Sequence, residues 1–142
     1  PWWRPNARAV IAGIHGGTTG TNVARAALEG ISWRVADVVA AIHETTEVET
    51  LRVDGGLTNE PLVLRLQADA IGAPVEAAGA DATVLGAAAL AAVGAGVIDS
   101  VRELPEMLPP DRRVEPDRDD AWREAEHAAW REFVQATEAL DP

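Results

Sequence analysis

The 142 residues and 15.0 kDa of this chain suffice for one domain with its own hydrophobic core and are too few for two. The net charge of −11, together with the absence of any lysine, argues against nucleic acid and an anionic membrane as partners, because binding to polyanions draws on clustered basic side chains. The absence of cysteine excludes disulfides and thiolate metal sites, and it suits a cytoplasmic protein.

The first predicted elements are a strand, a glycine-rich loop and a long helix. Residues 9–14 (AVIAGI) form a short apolar run, which predicts a buried strand. The loop HGGTTG follows; it lacks the lysine of a phosphate-binding P-loop, so a connecting loop is expected. Thr21 is the predicted N-cap of a helix over residues 22–42, whose apolar positions recur with helical spacing and predict one buried face.

The second group of elements is a strand over residues 50–54 (TLRVD) and a helix over residues 60–71. Gly72 is the expected end of this helix, since glycine adopts the left-handed conformation that closes many helices. A third, short strand is predicted in APVEAAG, residues 73–79.

The last third of the chain predicts two helices and a connecting segment. Residues 83–97 are apolar almost all round, so this helix is expected to be buried between other elements and not to span a membrane. Residues 104–120 are proline-rich and charged, which predicts a surface connection. Residues 121–140 predict an amphipathic helix that docks by the stripe Trp122, Ala125, Ala129, Phe133 and Leu140.

Alternating strands and helices predict an α/β fold with right-handed crossovers. Ligands of such sheets lie beyond the carboxyl ends of the strands, where Gly55 and Gly56 follow the strand at residues 50–54. Two interpretations of this glycine pair remain open. It can serve only a turn that needs positive φ, or it can also leave space for a phosphate or nucleoside to approach the backbone.

Two long motifs identify a family resemblance. The strings LRVDGG, LQADAIG, PVE and TVLGAAALAAVGAGV follow one another as in the adenosine motif of the FGGY family of carbohydrate kinases, and most nearly as in its glycerol kinases. Residues 9–29 match the C-terminal signature of the same family. PWWRPNARA and AWREAEHAAW also resemble the lead-in and the closing tryptophan helix of glycerol kinases, so the resemblance covers nearly the whole chain.

The resemblance implies a ribonuclease-H-like domain of the actin-like ATPase fold, incomplete on its N-terminal side, which spans residues 1–142 and binds ATP with Mg²⁺ in the complete enzyme. It implies that Gly55 and Gly56 pass under the nucleotide. The family often has an asparagine on the first turn of the next helix to contact adenine. That position is Glu60 here, with Asn59 one residue earlier, so either side chain is a candidate for the contact.

The resemblance assigns no catalytic residue to this chain. The catalytic aspartate of the family lies in a GDQ-type motif at the end of the N-terminal domain, and this sequence has no such motif. The chain begins with Pro1, and Met107 is its only methionine, so we expect it to be a segment of a larger protein. The resemblance implies that this protein is a kinase that acts on a small sugar or polyol. A degenerate non-catalytic module and an unrelated Rossmann-like binder are the alternatives, the latter disfavoured because GxGxxG is missing.

Two further expectations concern metals and self-association. His15, His43 and His127 share no ligand spacing, so no metal site is predicted. Asp54 is expected to steady the glycine turn, with a water-mediated contact to Mg²⁺ as the alternative. Missing flanking strands would expose a sheet edge and apolar surface, which predicts a homo-oligomer.

Overall fold

The computed structural model describes residues 8–78, 81–103 and 110–138. Within these ranges the chain forms an α/β fold, as predicted, with four α-helices and one small sheet. The elements in chain order are α1 (Gly20–His43), β1 (Leu51–Val53), α2 (Pro61–Ile71), β2 (Val75–Ala77), α3 (Ala82–Gly94), β3 (Arg112–Val114) and α4 (Asp120–Glu138). Two 3₁₀ turns, Gly56–Asn59 and Val101–Glu103, connect them.

The sheet has the order β1-β2-β3. β1 and β2 are parallel with Leu51 opposite Val75, and β3 runs antiparallel to β2 with Val114 opposite Val75. β1 and β2 confirm the strands predicted at residues 50–54 and 73–79. β3 lies within the connecting segment predicted over residues 104–120 and was not foreseen, and residues 104–109 lie outside the described residues.

Helix α2 covers one face of the sheet and forms the core with it. Its buried Leu64 and Ala68 pack against Val75 and Ala77 of β2. Pro61 at its first turn has the backbone angle of a helix start, and Gly72 ends it in the left-handed conformation with φ of 70°. These two residues place the helix where the sequence predicts it.

Helix α1 packs against α2 and begins earlier than predicted. Its N-cap is Thr19: the Thr19 Oγ1 accepts the Asn22 N–H (3.3 Å), and the Asn22 Oδ1 accepts the Thr19 N–H (2.9 Å). Thr21 as N-cap is therefore wrong. Three positions after Thr21 stands Ala24, whose methyl group cannot return the second hydrogen bond.

The strand predicted for residues 9–14 is also wrong. No strand of the described part of the chain lies beside this segment, and Gly13 leaves the extended conformation with φ of 75°. Ile11 and Ile14 are 54% and 65% exposed. An apolar run becomes a strand only where another strand accepts its backbone hydrogen bonds.

Helix α3 is exposed, so the prediction of a buried helix is wrong. Among its residues only Ala89 is buried, whereas Val84 and Leu90 are exposed by about two thirds. A helix that is apolar on every side has no polar face to indicate how it lies, so its sequence pattern fixes no packing partner. No helix in the described ranges has the length and apolar character to cross a membrane.

Helix α4 confirms the predicted C-terminal amphipathic helix, but with a different inward stripe. Trp122 and Phe133 are half-buried as expected, whereas Ala125 and Ala129 are exposed and Leu140 lies outside the described residues. The residues that share the inner stripe with them are Arg123, His127, Trp130 and Val134. Large aromatic surfaces decide the orientation, because burying them gains far more free energy than burying an alanine methyl group.

Candidate functional site: the glycine turn after β1

The backbone bends sharply at Gly55 and Gly56, where β1 gives way to a 3₁₀ turn. Gly55 has φ of 106° and ψ of 170°, a conformation that side chains with a Cβ rarely adopt. Gly56 has no positive φ, and a Cβ built on either glycine meets no atom within 4 Å. The turn itself thus requires the first glycine, whereas neither the backbone nor a neighbouring atom requires the second.

Two side chains hold the shape of this turn. The Thr58 hydroxyl donates to the Gly55 carbonyl oxygen (2.7 Å), and the Thr58 N–H donates to the same oxygen (3.0 Å). Arg112 donates from Nη2 to the Thr58 carbonyl (2.7 Å) and from Nη1 to the Asn59 carbonyl (3.3 Å). Arg112 stands on β3, more than 50 residues along the chain, so no local spacing in the sequence indicated its role.

Asp54 joins the glycine turn to the start of α3. Its Oδ2 accepts the Ala82 N–H (2.7 Å). The pKa of Asp54 is lowered by this backbone hydrogen bond first and by one from the Gly55 N–H second. Both contacts are to backbone N–H groups, which supports the structural interpretation of Asp54 over a role near Mg²⁺.

Asp54→Asn is expected to make the free energy of unfolding fall less steeply as the pH is lowered through the acidic range. Because the folded-state pKa of Asp54 lies below its ordinary value of 3.8, the carboxylate stabilises the fold above that value and loses this contribution as the pH falls through the folded pKa. Urea unfolding at a series of acidic pH values measures the effect. Asp99→Asn is the control, since no described hydrogen bond ends on the Asp99 carboxylate, and an unchanged acid limb in Asp54→Asn would contradict the assignment.

The four predicted binding residues lie on one exposed stretch between β1 and α2. Gly55, Gly56, Asn59 and Glu60 all face solvent, and Glu60 is the residue that precedes the first turn of α2. The Glu60 carboxylate forms no capping hydrogen bond with that helix. The structure therefore brings the predicted residues together and leaves the side chains of Asn59 and Glu60 without a described hydrogen bond.

Two of the three histidines are engaged elsewhere. His15 Nδ1 accepts the Gly17 N–H (3.1 Å) within the HGGTTG loop, and His127 binds Asp37 of α1 (2.9 Å). In the described ranges no three His, Asp or Glu side chains form a group that could hold a metal ion.

Known proteins resemble this chain over nearly its whole length. A model of the FGGY family of carbohydrate kinases, C-terminal domain, matches residues 1–95. The glycerol kinase of Geobacter sp. (strain M21) is 41% identical over 138 residues, which are 95% of this chain and 28% of that protein. The glycerol kinase of Lactococcus lactis subsp. lactis (strain IL1403) is 35% identical over 143 residues, 99% of this chain and 29% of that protein.

Solved structures agree with these relatives. Plasmodium falciparum glycerol kinase, crystallised with ADP, matches with a TM-score of 0.84 and 29% identity over 95% of this chain and 28% of that one. Gluconate kinase from Lactobacillus acidophilus matches with a TM-score of 0.83 at 22% identity, over 96% of this chain and 28% of that one, which shows the fold alone. The fold is thus the predicted actin-like ATPase type, and the chain spans less than a third of the length of these relatives. The chain belongs to the FGGY family of carbohydrate kinases, whose C-terminal domain it matches over residues 1–95.

Proposed function

We propose that this chain is the nucleotide-binding C-terminal portion of an ATP-dependent kinase that phosphorylates glycerol or a similar small polyol or sugar. Gly56 carries this proposal: it lies at the carboxyl end of a parallel strand, faces open space and has no structural need to be glycine. The relative solved with ADP is 29% identical across nearly the whole chain, which supports an adenine nucleotide as the ligand.

The glycine turn fits such a ligand in shape. Without a Cβ at Gly55 or Gly56, a flat or anionic group can approach the backbone closely. Glu60 faces the base in this proposal, because its carboxylate accepts a hydrogen bond from the adenine amino group. The same carboxylate repels the phosphates, and Asn59 is the alternative contact.

By itself, the chain is proposed not to catalyse phosphoryl transfer. That reaction needs a group that positions or deprotonates the acceptor hydroxyl, and the GDQ-type motif that supplies it in the family does not occur in this sequence. Mg²⁺ accompanies ATP in such enzymes. Mg²⁺ in such sites is held mainly by the phosphates and water, with one or two carboxylates from the protein.

In the complete enzyme an N-terminal domain brings the acceptor and the base. Closure of that domain over this one excludes water from the transferred phosphoryl group. The proposed location is the cytoplasm, where ATP is available, and the lack of cysteine is compatible with it.

Titration of the 142-residue chain with ADP and Mg-ATP tests the proposal, with isothermal calorimetry as the readout. We expect millimolar binding and about tenfold weaker binding for Gly56→Ala, because the added methyl group occupies the space of the ligand. Glu60→Gln is expected to bind a few times more tightly, since it removes a negative charge beside the phosphates and keeps a hydrogen-bonding side chain.

Gly86→Ala on α3 is the matched control, because a Cβ there also meets no atom within 4 Å. Unchanged melting temperatures would separate loss of the ligand from loss of the fold. Absence of binding would instead favour the degenerate module. Equal affinities for Gly56→Ala and the native chain would show that the nucleotide does not bind at Gly56. Turnover of glycerol by this chain would contradict the proposal that it lacks the catalytic base. If only Asn59→Ala weakens binding, the adenine contact belongs to Asn59.

A further inference from the structure

One side chain of β3 holds the backbone that carries the candidate adenine contacts. Arg112 donates from Nη2 to the Thr58 carbonyl (2.7 Å) and from Nη1 to the Asn59 carbonyl (3.3 Å). These carbonyls belong to successive residues, so the planar guanidinium spans two peptide groups at once. Two hydrogen bonds from one rigid fork fix an orientation, whereas a single bond leaves the group free to rotate.

The bonds from Arg112 continue through Thr58 to the glycine turn. Thr58 is 8% exposed and donates both its hydroxyl (2.7 Å) and its N–H (3.0 Å) to the Gly55 carbonyl oxygen. A rigid strand on the far side of the sheet is thus connected to the start of the turn by side-chain and backbone hydrogen bonds. The position of the Gly55–Gly56 backbone therefore depends in part on β3.

Arg112 is itself held firmly by the strand on which it stands. It lies opposite Ala77 of β2, and the N–H of Asp111 donates to the Ala77 carbonyl (3.0 Å). Beyond the other end of β3, the Asp117 N–H donates to the buried carboxylate of Asp69 in α2 (2.7 Å). A guanidinium whose strand is anchored on both sides is a precise support for the segment that it contacts.

The two candidates for the adenine contact depend on this support. Asn59 and Glu60 face solvent, and neither side chain has a described hydrogen bond that directs it. The direction in which each side chain leaves the backbone is then set by the backbone alone. Arg112 fixes that backbone at the Asn59 carbonyl, one peptide group before Glu60.

We propose that Arg112 is a positioning residue of the nucleotide site, which acts through the backbone of residues 55–59 and not by contact with the nucleotide. This inference rests on the proposed function and extends the site to β3, which lies beyond the residues 1–95 that the family model matches. A turn already held in its binding conformation loses less conformational entropy when the ligand arrives. Arg112 raises the affinity for nucleotide in this way.

Paired titrations with ADP and adenosine separate positioning from direct attraction by charge. Arg112→Ala is expected to weaken the binding of both ligands by about tenfold, because both use the same turn. Attraction between the guanidinium and the phosphates would instead weaken ADP alone, since adenosine carries no phosphate. Chemical-shift titrations of the 142-residue chain by NMR measure both affinities.

Arg112→Lys tests the two-carbonyl geometry. Lysine keeps the positive charge, but its single ammonium group cannot reproduce a planar fork across two peptide groups. Its affinities for both ligands are expected to lie between those of Arg112→Ala and the native chain. Thermal melting of each variant reports whether it folds, and Arg112→Lys decides the question if Arg112→Ala does not.

Arg113→Ala is the matched control. Arg113 is the next residue of β3, and its guanidinium bonds to Glu76 and Glu115 instead of the turn. Its replacement removes a salt bridge from the same strand and should leave the affinities for ADP and adenosine unchanged.

Several results would overturn the positioning role. These are unchanged affinities in Arg112→Ala, full affinity in Arg112→Lys, a loss confined to ADP, an equal loss in Arg113→Ala, or a native chain that binds ADP but not adenosine. In each of them the native chain still binds ADP, so the proposed function stands. A native chain that binds neither ligand overturns both.

Discussion

Asp37→Ala is expected to release α4 from α1 and to lower the free energy of unfolding by about 1–3 kcal/mol, the cost of leaving buried hydrogen-bond donors without their acceptor. The Asp37 side chain is only 5% exposed. Its carboxylate accepts hydrogen bonds from Nε2 of His127 (2.9 Å), Nε1 of Trp130 (3.0 Å) and Nη1 of Arg34 (3.3 Å). Two of these donors stand on α4, so one carboxylate fastens the helix.

The aromatic side chains around Asp37 make its loss visible. Trp33 stacks on the His127 ring with centroids 5.6 Å apart and lies 6.0 Å from Trp122. Arg34 lies over the Trp130 ring at 5.4 Å. Release of α4 exposes these indoles to water. Urea unfolding followed by tryptophan fluorescence and by far-ultraviolet circular dichroism is the measurement, and an early fluorescence transition is the expected sign.

Two variants control for the buried charge. Asp37→Asn retains an acceptor oxygen and loses the charge, so its cost should lie between those of the native chain and Asp37→Ala. Glu29→Ala removes an exposed partner of Arg25 on the same helix and should cost no more than about 0.5 kcal/mol. A value for Asp37→Ala as small as that for Glu29→Ala would show that Asp37 does not hold α4.

Gly72→Ala is expected to cost about 2–4 kcal/mol, from left-handed strain and from steric overlap together. Gly72 ends α2 with φ of 70°, where a Cβ is disfavoured. A Cβ built there also overlaps the guanidinium of Arg123, a half-buried residue of α4 that pairs with Asp120. The substitution therefore strains the end of α2 and forces the Arg123 guanidinium to move. Thermal and urea unfolding measure the combined loss.

Gly96→Ala separates these two contributions. Gly96 has the same φ of 70°, but a Cβ there meets no atom within 4 Å, so its replacement carries the backbone cost alone. The difference between Gly72→Ala and Gly96→Ala is then the cost of the Arg123 contact. Equal losses would exclude that contact, and partial rescue of Gly72→Ala by Arg123→Ala would confirm it.

The helix ends show how far local sequence predicts this fold. Pro61 and Gly72 placed both ends of α2 correctly, because each acts through its own backbone angles. Thr19 and Thr21 both suit an N-cap by residue type, and only the partner three positions later decides between them. The glycine turn was predicted as a binding stretch from motif spacing. Arg112, which fixes two of its carbonyls, was missed because it comes from a distant strand.

The sequence by itself determined the alternation of helices and strands from α1 to α3, the position of the glycine turn and the family of the chain. All three depend on residues a few positions apart or on a motif order that the chain carries whole. Only the tertiary structure decided that residues 9–14 and α3 are exposed and that β3 pairs with β2. It also decided that Asp37 joins α1 to α4. Burial and strand pairing need a partner from elsewhere in the chain, and an apolar pattern records the need for such a partner without identifying it.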